Sequence, residues 1–284
     1  VLYRDDRFLA EIETAVYALD ATIIELCLKL FPWAKAAHHQ ATVAGEKLHT
    51  LLDVQSNLPV FAWVSEANMN DMRMLDELLF EPGAFDVLDR GYMHFGRLKK
   101  IDNAGAFFVI RGKKGLRFVR VESHRVDRAW GVRVDQTIRL VIPHSVEGYP
   151  DCVRRIRYFD AEKDSSFIFL TNNFVLNALT IAELYRSRWK IELIFKWIKQ
   201  HLRIKAFYGT TPNAVNTQIC IALTVFVLVA IVKKELNVEQ SLYTILQILS
   251  VTLFEKEPIN QVLADHQGLI QTEDDPNQLK LFAF

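Results

Sequence analysis

Residues 117–169 constrain the fold more than any other part of this chain. Segments such as RFVRVES, VDQTIRLVI and VRRIRYF alternate apolar and polar side chains, and helical spacing is nearly absent. A period of two turns every second side chain toward one face of a strand. About five short strands are predicted here, because nothing in the stretch supports βαβ units. This β-rich block separates two regions of different texture, and the fold must accommodate it as an insertion.

Upstream, residues 14–30 are rich in β-branched and apolar side chains. They read as a strand through Asp20 and a second from Ile23. Residues 47–54 and 59–64 read as further strands joined by an SNLP turn. Residues 68–79 have helical spacing, 85–88 form a short buried strand ending at Asp89, 95–104 a helix and 106–111 another strand. That order is an α/β pattern with an antiparallel start. Downstream, Thr180 and Glu183 fit a capping box, with Leu179 and Leu184 in the staple positions. The helix they open is predicted from Ile181 to about Leu202, roughly 33 Å long. After a break at Gly209, Thr211-Pro212 opens an apolar helix to about Lys234. Residues 241–253 form an amphipathic helix, and the tail after Asp265 is polar and acidic. Four segments follow: 1–112 and 173–235 as the two parts of an α/β core, 113–172 as the β-insertion, and 236–284 as a helical segment with an acidic tail.

Formal net charge is zero, with 34 basic and 34 acidic residues, but its distribution is uneven. Residues 90–125 hold ten Lys or Arg against two acids, and 185–205 hold seven against one. A neutral total thus leaves room for a basic surface able to meet phosphate; a solvated charged face is the alternative. Cys27, Cys152 and Cys220 are widely spaced, which points to reduced thiols and away from a disulfide scaffold or zinc site. The longest strongly apolar run, 219–232, has 14 residues. A membrane span needs about 20, so a buried core helix and no membrane partner are expected. The sequence opens at Val1 without Met, and a fragment of a longer protein is expected.

Within YRSRWKIELIFKWIKQHL, residues 185–202, a single acid stands among five cations. At 100° per residue, Tyr185, Arg188, Glu192, Lys196 and Lys199 share one polar ribbon on an otherwise apolar helix. A carboxylate on such a ribbon must be paired or bind a cation. Arg188 and Lys196, both four residues from Glu192, offer an internal ion pair. The surplus of cations and the Tyr suit a polyanion beside a metal instead. Asp20, inside VYALDAT, and Asp89, closing FDVLDRGY, are the other candidate ligands. Strand ends are where α/β sheets collect functional groups. Two Asp and one Glu form an oxygen-only set suited to Mg²⁺ or Mn²⁺. Asp53, Asp71 and Asp86 remain rivals. His38-His39 reads as surface, and Trp189 and Trp197 as core.

The spacing Y-x2-R-x3-E-x6-K formed by Tyr185, Arg188, Glu192 and Lys199 resembles the signature of IS4-type insertion-sequence transposases. These belong to the DDE superfamily of RNase H-like transposases and integrases. The surrounding TIAELYRSRWKIELIFKWIKQHL and the GYMHF after Asp89 are similar too, and the likeness extends from about Tyr17 to Leu249. It implies an RNase H-like mixed sheet flanked by helices, interrupted by the β-rich insertion before the last catalytic helix. It implies that Asp20, Asp89 and Glu192 are the catalytic, metal-binding triad, holding two Mg²⁺ or Mn²⁺ ions. It implies that Tyr185, Arg188 and Lys199 contact DNA. Lys196 on the same ribbon, Arg90 beside Asp89, and Trp130, placed to stack an extruded base, are further candidate contacts.

The expected function is DNA transposition: metal-dependent strand cleavage at transposon ends and strand transfer into target DNA. Expected partners are double-stranded DNA, as end inverted repeats and target, and a second copy in a homodimer on DNA. The expected setting is the bacterial cytoplasm, at the nucleoid. Relatives usually carry a further N-terminal region that helps recognise terminal repeats, which this sequence is expected to lack. Two alternatives follow: a truncated or domesticated derivative that binds DNA without cutting it, and a general RNase H-like nuclease.

Overall fold

In the computed structural model, which describes residues 12–36, 44–202, 204, 206–252 and 258–263, the alternating run VYALDATIIEL forms one uninterrupted strand. This strand, β1 (Val16–Leu26), replaces the two expected from residues 14–30. A two-residue β2 (Lys35–Ala36), β3 (Ala44–Asp53) and β4 (Leu58–Glu66) follow. The turn into β4 uses Asn57 in the left-handed region, a conformation Asn tolerates, and Asp53 accepts from the Gln55 N–H. The helix expected at 68–79 is a shorter 3₁₀ segment, Asp71–Asp76, capped by Asn70. Next come β5 (Phe85–Leu88), α1 (Phe95–Asn103) and β6 (Phe107–Arg111), as the sequence indicates.

The insertion contains four strands: β7 (Phe118–Ser123), β8 (Val132–Leu140), β9 (Val153–Asp160) and β10 (Ser165–Thr171). It also holds a helix the alternation did not reveal, α2 (Pro143–Gly148), opened by Pro at its first turn. Two helices then replace the single one expected over 181–202: α3 (Ala178–Ser187) and α4 (Trp189–His201). The N-cap is Asn177, whose side chain accepts from the Thr180 N–H at 2.8 Å; Thr180 lies inside the first turn. The break falls at Arg188, where the bonds Arg188 N–H to Tyr185 carbonyl and Ile191 N–H to Arg188 carbonyl tighten the backbone to i→i+3 spacing. Two more helices are α5 (Pro212–Glu235) and α6 (Leu242–Thr252).

The ten-stranded sheet runs β2-β3-β1-β5-β6-β10-β9-β8-β7, with β4 on β3. β4, β3 and β1 are antiparallel, and β5 and β6 join β1 in parallel. An antiparallel three-strand start with two parallel strands beside its first strand is the RNase H-like arrangement. β10 pairs with β6, so the insertion continues the main sheet. On one face Leu19, Leu88, Phe108, Ile110, Ile138 and Leu170 pack against Met74, Leu98, Ile101 and Tyr149. The other face is covered by α3 over β5 and β6, and by α4 over β1.

The chain divides into two compact units, Val1–Ile219 and Cys220–Phe284. In α6, Leu242, Ile245 and Ile248 form the buried stripe of an amphipathic helix. α5 differs from the core helix expected of it. Its 24 residues are long and apolar enough, by length and composition alone, to cross a membrane, and only 28% of its most apolar stretch is buried. The apolar run of 14 residues understated the helix because its first turns carry Asn and Gln. His38-His39 and the tail after Asp265 lie outside the described residues.

Asp86, one of the rival carboxylates, is buried. It points into the main core face, opposite to Asp89, and is 4% exposed with one carboxylate oxygen lacking a hydrogen bond. Burial, then the charge of Glu81, pushes its carboxyl up to about 7. The folded protein therefore holds this proton over a range where the unfolded chain releases it, and stability is lost as pH rises through about 7. Asp86→Asn should raise the melting temperature at pH 8 by about 2–4 °C, the shift of about 1 kcal/mol in a domain of this size. The gain should be smaller at pH 5, where the folded protein keeps this proton. Thermal denaturation at both values checks it.

Candidate active site

The strand register brings the two aspartates together. Leu19 of β1 pairs with Leu88 of β5 in the parallel ladder, so Asp20 and Asp89 follow side by side. Neighbouring strands lie about 5 Å apart, and the alternation turns both side chains to the face covered by α3 and α4. Asp89 stands in extended conformation just beyond β5, at the start of a 3₁₀ turn whose first residue is Arg90. Glu192 lies in the first turn of α4.

Arg188, at the junction of the two helices, ties these elements together. Its Nη1 donates to Asp20 Oδ2 at 2.5 Å, and its Nη2 donates to Glu192 Oε1 at 2.5 Å. Asp20 Oδ1 accepts from the Ala21 N–H at 2.8 Å. One turn earlier, the Tyr185 hydroxyl donates to Asp89 Oδ1 at 2.9 Å, and its ring packs 4.7 Å from that of Phe169. The ion pair anticipated at i,i+4 spacing is therefore present on the Arg188 side, and the same guanidinium also holds Asp20.

Burial pushes the Asp20 carboxyl up to about 6. Arg188 and the Ala21 N–H oppose that shift, while the charges of Glu192 and Asp89 reinforce it. Burial pulls on Arg188 in the uncharged direction, but Asp20, Tyr185 and Glu192 outweigh it and hold the guanidinium charged. Asp20 is thus the partner that titrates. Burial also raises the Tyr185 hydroxyl, helped by Asp89.

The sequence reading overlooked Tyr92. It is 2% exposed, its hydroxyl has no hydrogen-bond partner among the described residues, and after burial the charges of Asp20, Asp71 and Asp89 raise its pKa well above the ordinary value. Its signal was the GYMHF that follows Asp89. Asp71 is engaged by Lys47 at 2.8 Å, and Asp53 caps its turn.

The other expected contacts are dispersed. Lys196 and Arg90 are exposed, and Lys199 is half-buried. Trp189, expected in the core, is 53% exposed at the start of α4, with Lys163 over its ring; Trp197 is buried. Trp130 is exposed and lines a cavity of about 560 Å³ with His124, Arg125, Asp135 and Arg154, at the N-terminal end of α3. Tyr185 lies about 10 Å further along that helix.

The donor chemistry of Asp20, Asp89 and Glu192, oxygen only and held around a positive charge, fits a hard divalent cation. Arg188 fills the cation's role between Asp20 and Glu192. As the side chains stand, no three His, Cys, Asp or Glu among the described residues converge closely enough to hold a metal.

Residues 12–228 match the family described as Transposase DDE domain. A Sinorhizobium fredii protein named as a transposase is 35% identical over 245 residues, 85% of this chain and 67% of the relative. A Geobacillus stearothermophilus protein named as a transposase for insertion sequence element IS5377 is 29% identical, over 78% of this chain and 59% of its own length. A Synechocystis protein named for element IS4SA is 23% identical, over 78% and 62%. The chain thus spans about three fifths to two thirds of these relatives. The solved piggyBac transposase synaptic complex with hairpin DNA overlaps 94% of this chain and 55% of that one, at 8% identity and a TM-score of 0.48. The strand order, and not this overlap, carries the fold assignment.

Removing Arg188 leaves two acids facing each other without a counter-cation. Arg188→Met should destabilise the protein by about 2–3 kcal/mol at pH 8, below the 3–5 kcal/mol of a fully buried pair because Glu192 is partly exposed. The loss should shrink at pH 5, where Asp20 is protonated. Denaturant melts at the two pH values measure it; an equal loss at both would contradict the assignment of Asp20 as the titrating partner.

Proposed function

The chain belongs to the Transposase DDE domain family, and from that premise we propose that it cuts DNA at transposon ends and transfers the freed strand into target DNA. The observation that carries this reading is that carboxylates from three distant segments are drawn around one cationic group: Asp20 and Glu192 on Arg188, with Asp89 beside Asp20.

In this proposal Asp20, Asp89 and Glu192 hold two Mg²⁺ or Mn²⁺ ions. Bound there, such ions would supply activation of the attacking oxygen, from water or a DNA 3′-hydroxyl, and stabilisation of the leaving oxygen at phosphorus. The remaining work falls to the chain's own groups. Arg188 releases Asp20 and Glu192 and carries its guanidinium to a backbone phosphate, where a planar fork matches two oxygens. Tyr185 turns its hydroxyl from Asp89 to the DNA. Lys199, Lys196 and Arg90 hold phosphates flanking the reacting one, contacts that fix position without reading sequence. Trp130 stacks an extruded base above its cavity. The working assembly is a homodimer on double-stranded end and target DNA, within the bacterial nucleoid.

A second reading is favoured by one observation, the closure of Asp20 and Glu192 on Arg188. It makes the chain a transposase derivative that binds DNA without cutting. Nicking of end-sequence DNA in Mg²⁺ separates the two: cleavage supports the first, binding without cleavage the second. Under the first, Glu192→Gln should lower nicking more than about 100-fold, beyond the 10–100-fold effect of groups that merely orient metal ligands. DNA affinity should stay within about threefold, as gel-shift titration would read. Retained cleavage removes Glu192 from the triad.

A further inference from the structure

The alternation of β7–β10 sorts the insertion's charges by face. All three acids on its strands, Glu122, Asp135 and Asp160, lie on the face turned toward α3, by their register with Thr137, Ile156 and Ser165. There Asp135 binds Arg154 at 2.7 Å, Asp160 lies 3.8 Å from Arg186, and Glu122 lies 4.0 Å from His124. The opposite face carries Arg120, Arg133, Arg155 and Arg157 and no acid. Among the described residues these four arginines make no ion pair. Arg120, Arg133 and Arg157 are exposed, and Arg155 is half-buried.

Two of these guanidinium groups are held in place by aromatic rings. Arg133 lies 5.2 Å from the centroid of Phe159, and Arg155 lies 5.0 Å from that of Phe118 and donates to Gln136. Arg155 and Arg157 alternate on one strand, about 7 Å apart. Arg120 lies two strands away, and the array spans about 10 Å across the strands and about 17 Å along them. Like charges so close are costly unless an anion shares them, and burial and the neighbouring Arg157 already hold Arg155 below its ordinary pKa.

We propose that this arginine face binds the phosphate backbone of a duplex DNA segment other than the one at Asp20, Asp89 and Glu192. This rests on the DNA-processing reading above and adds a second contact, on the opposite face of the same sheet. A two-dimensional array of fixed guanidinium groups suits a duplex, which presents about one charge per 1.7 Å of axis. The rings of Phe118 and Phe159 are covered by arginines, so the stacking platform a single strand requires is absent from this face. Contacts of this kind position DNA and carry no sequence information.

The test is fluorescence anisotropy with a labelled 20-bp duplex of unrelated sequence, in EDTA, over a salt series. The variant Arg120→Gln/Arg133→Gln/Arg157→Gln spares Arg155, which packs on Phe118. It should flatten the slope of log K against log salt by about 2–3, at about 0.9 per phosphate contact, and weaken binding at least tenfold. The single change Arg157→Gln should flatten the slope by about 0.9, and it serves if the triple variant does not fold. Arg139→Gln, an exposed arginine on the other face, should leave the slope unchanged. An unaltered slope in the folded triple or single variant overturns the proposal, as does an equal effect of Arg139→Gln. Wild-type nicking alongside unaltered slopes removes this inference alone; a wild type that neither nicks nor binds duplex removes both readings.

Discussion

Two carboxylates cannot remain ionised side by side in a half-buried pocket without a positive charge between them, and Arg188 supplies it. Its guanidinium holds Asp20 from the first strand and Glu192 from the helix that follows the insertion, 172 positions later in the chain. This bridge closes the α4 end of the fold onto β1. It also explains why the helical segment breaks where it does. A continuous helix would carry Arg188 as one more residue on a ribbon; the tightened turn places its side chain between two elements. In the proposed mechanism this group would leave when a cation binds, so stability and activity would compete at this position.

The rest of the site follows from the sheet. Parallel pairing of β1 with β5 sets Asp20 and Asp89 side by side without any direct bond between them. The antiparallel strands β3 and β4 then extend the sheet away from the site, and β6 with the insertion extends it on the other side. Asp20 and Asp89 therefore sit on inner strands of a wide sheet. Tyr185, bonded to Asp89 and packed on Phe169 of β10, couples the insertion to the acids through one side chain.

Much of this was legible in the sequence because it rests on local periodicity. Asp20 inside a strand, Asp89 just past another, and Glu192 with Arg188 one turn away were all readable from spacing. What spacing could not reveal was long range. The second partner of Arg188 is 168 residues away, and only the folded register sets Asp20 beside Asp89. The capping box at Thr180 misled because Asn177, three residues earlier, accepts from the Thr180 N–H and starts the helix sooner. Trp189 looked like core because it is a large aromatic in an apolar-rich segment, yet it stands between Arg188 and Lys190 at a helix start and is exposed. The helix α2 was hidden by its brevity. The segregation of charge on the insertion needed strand register, since a β-bulge beside Arg133 shifts which side chains share a face.

The central claim is that Asp20, Asp89 and Glu192 form one cation site that Arg188 holds closed in the free protein. The most direct measurement is a crystal structure of the chain with duplex DNA and Mn²⁺, with data collected for the anomalous signal of manganese. The account expects anomalous peaks within coordinating distance of all three carboxylates, with the Arg188 guanidinium moved onto a phosphate. Peaks held elsewhere, or an Arg188 still bridging Asp20 and Glu192 at saturating Mn²⁺, would contradict it.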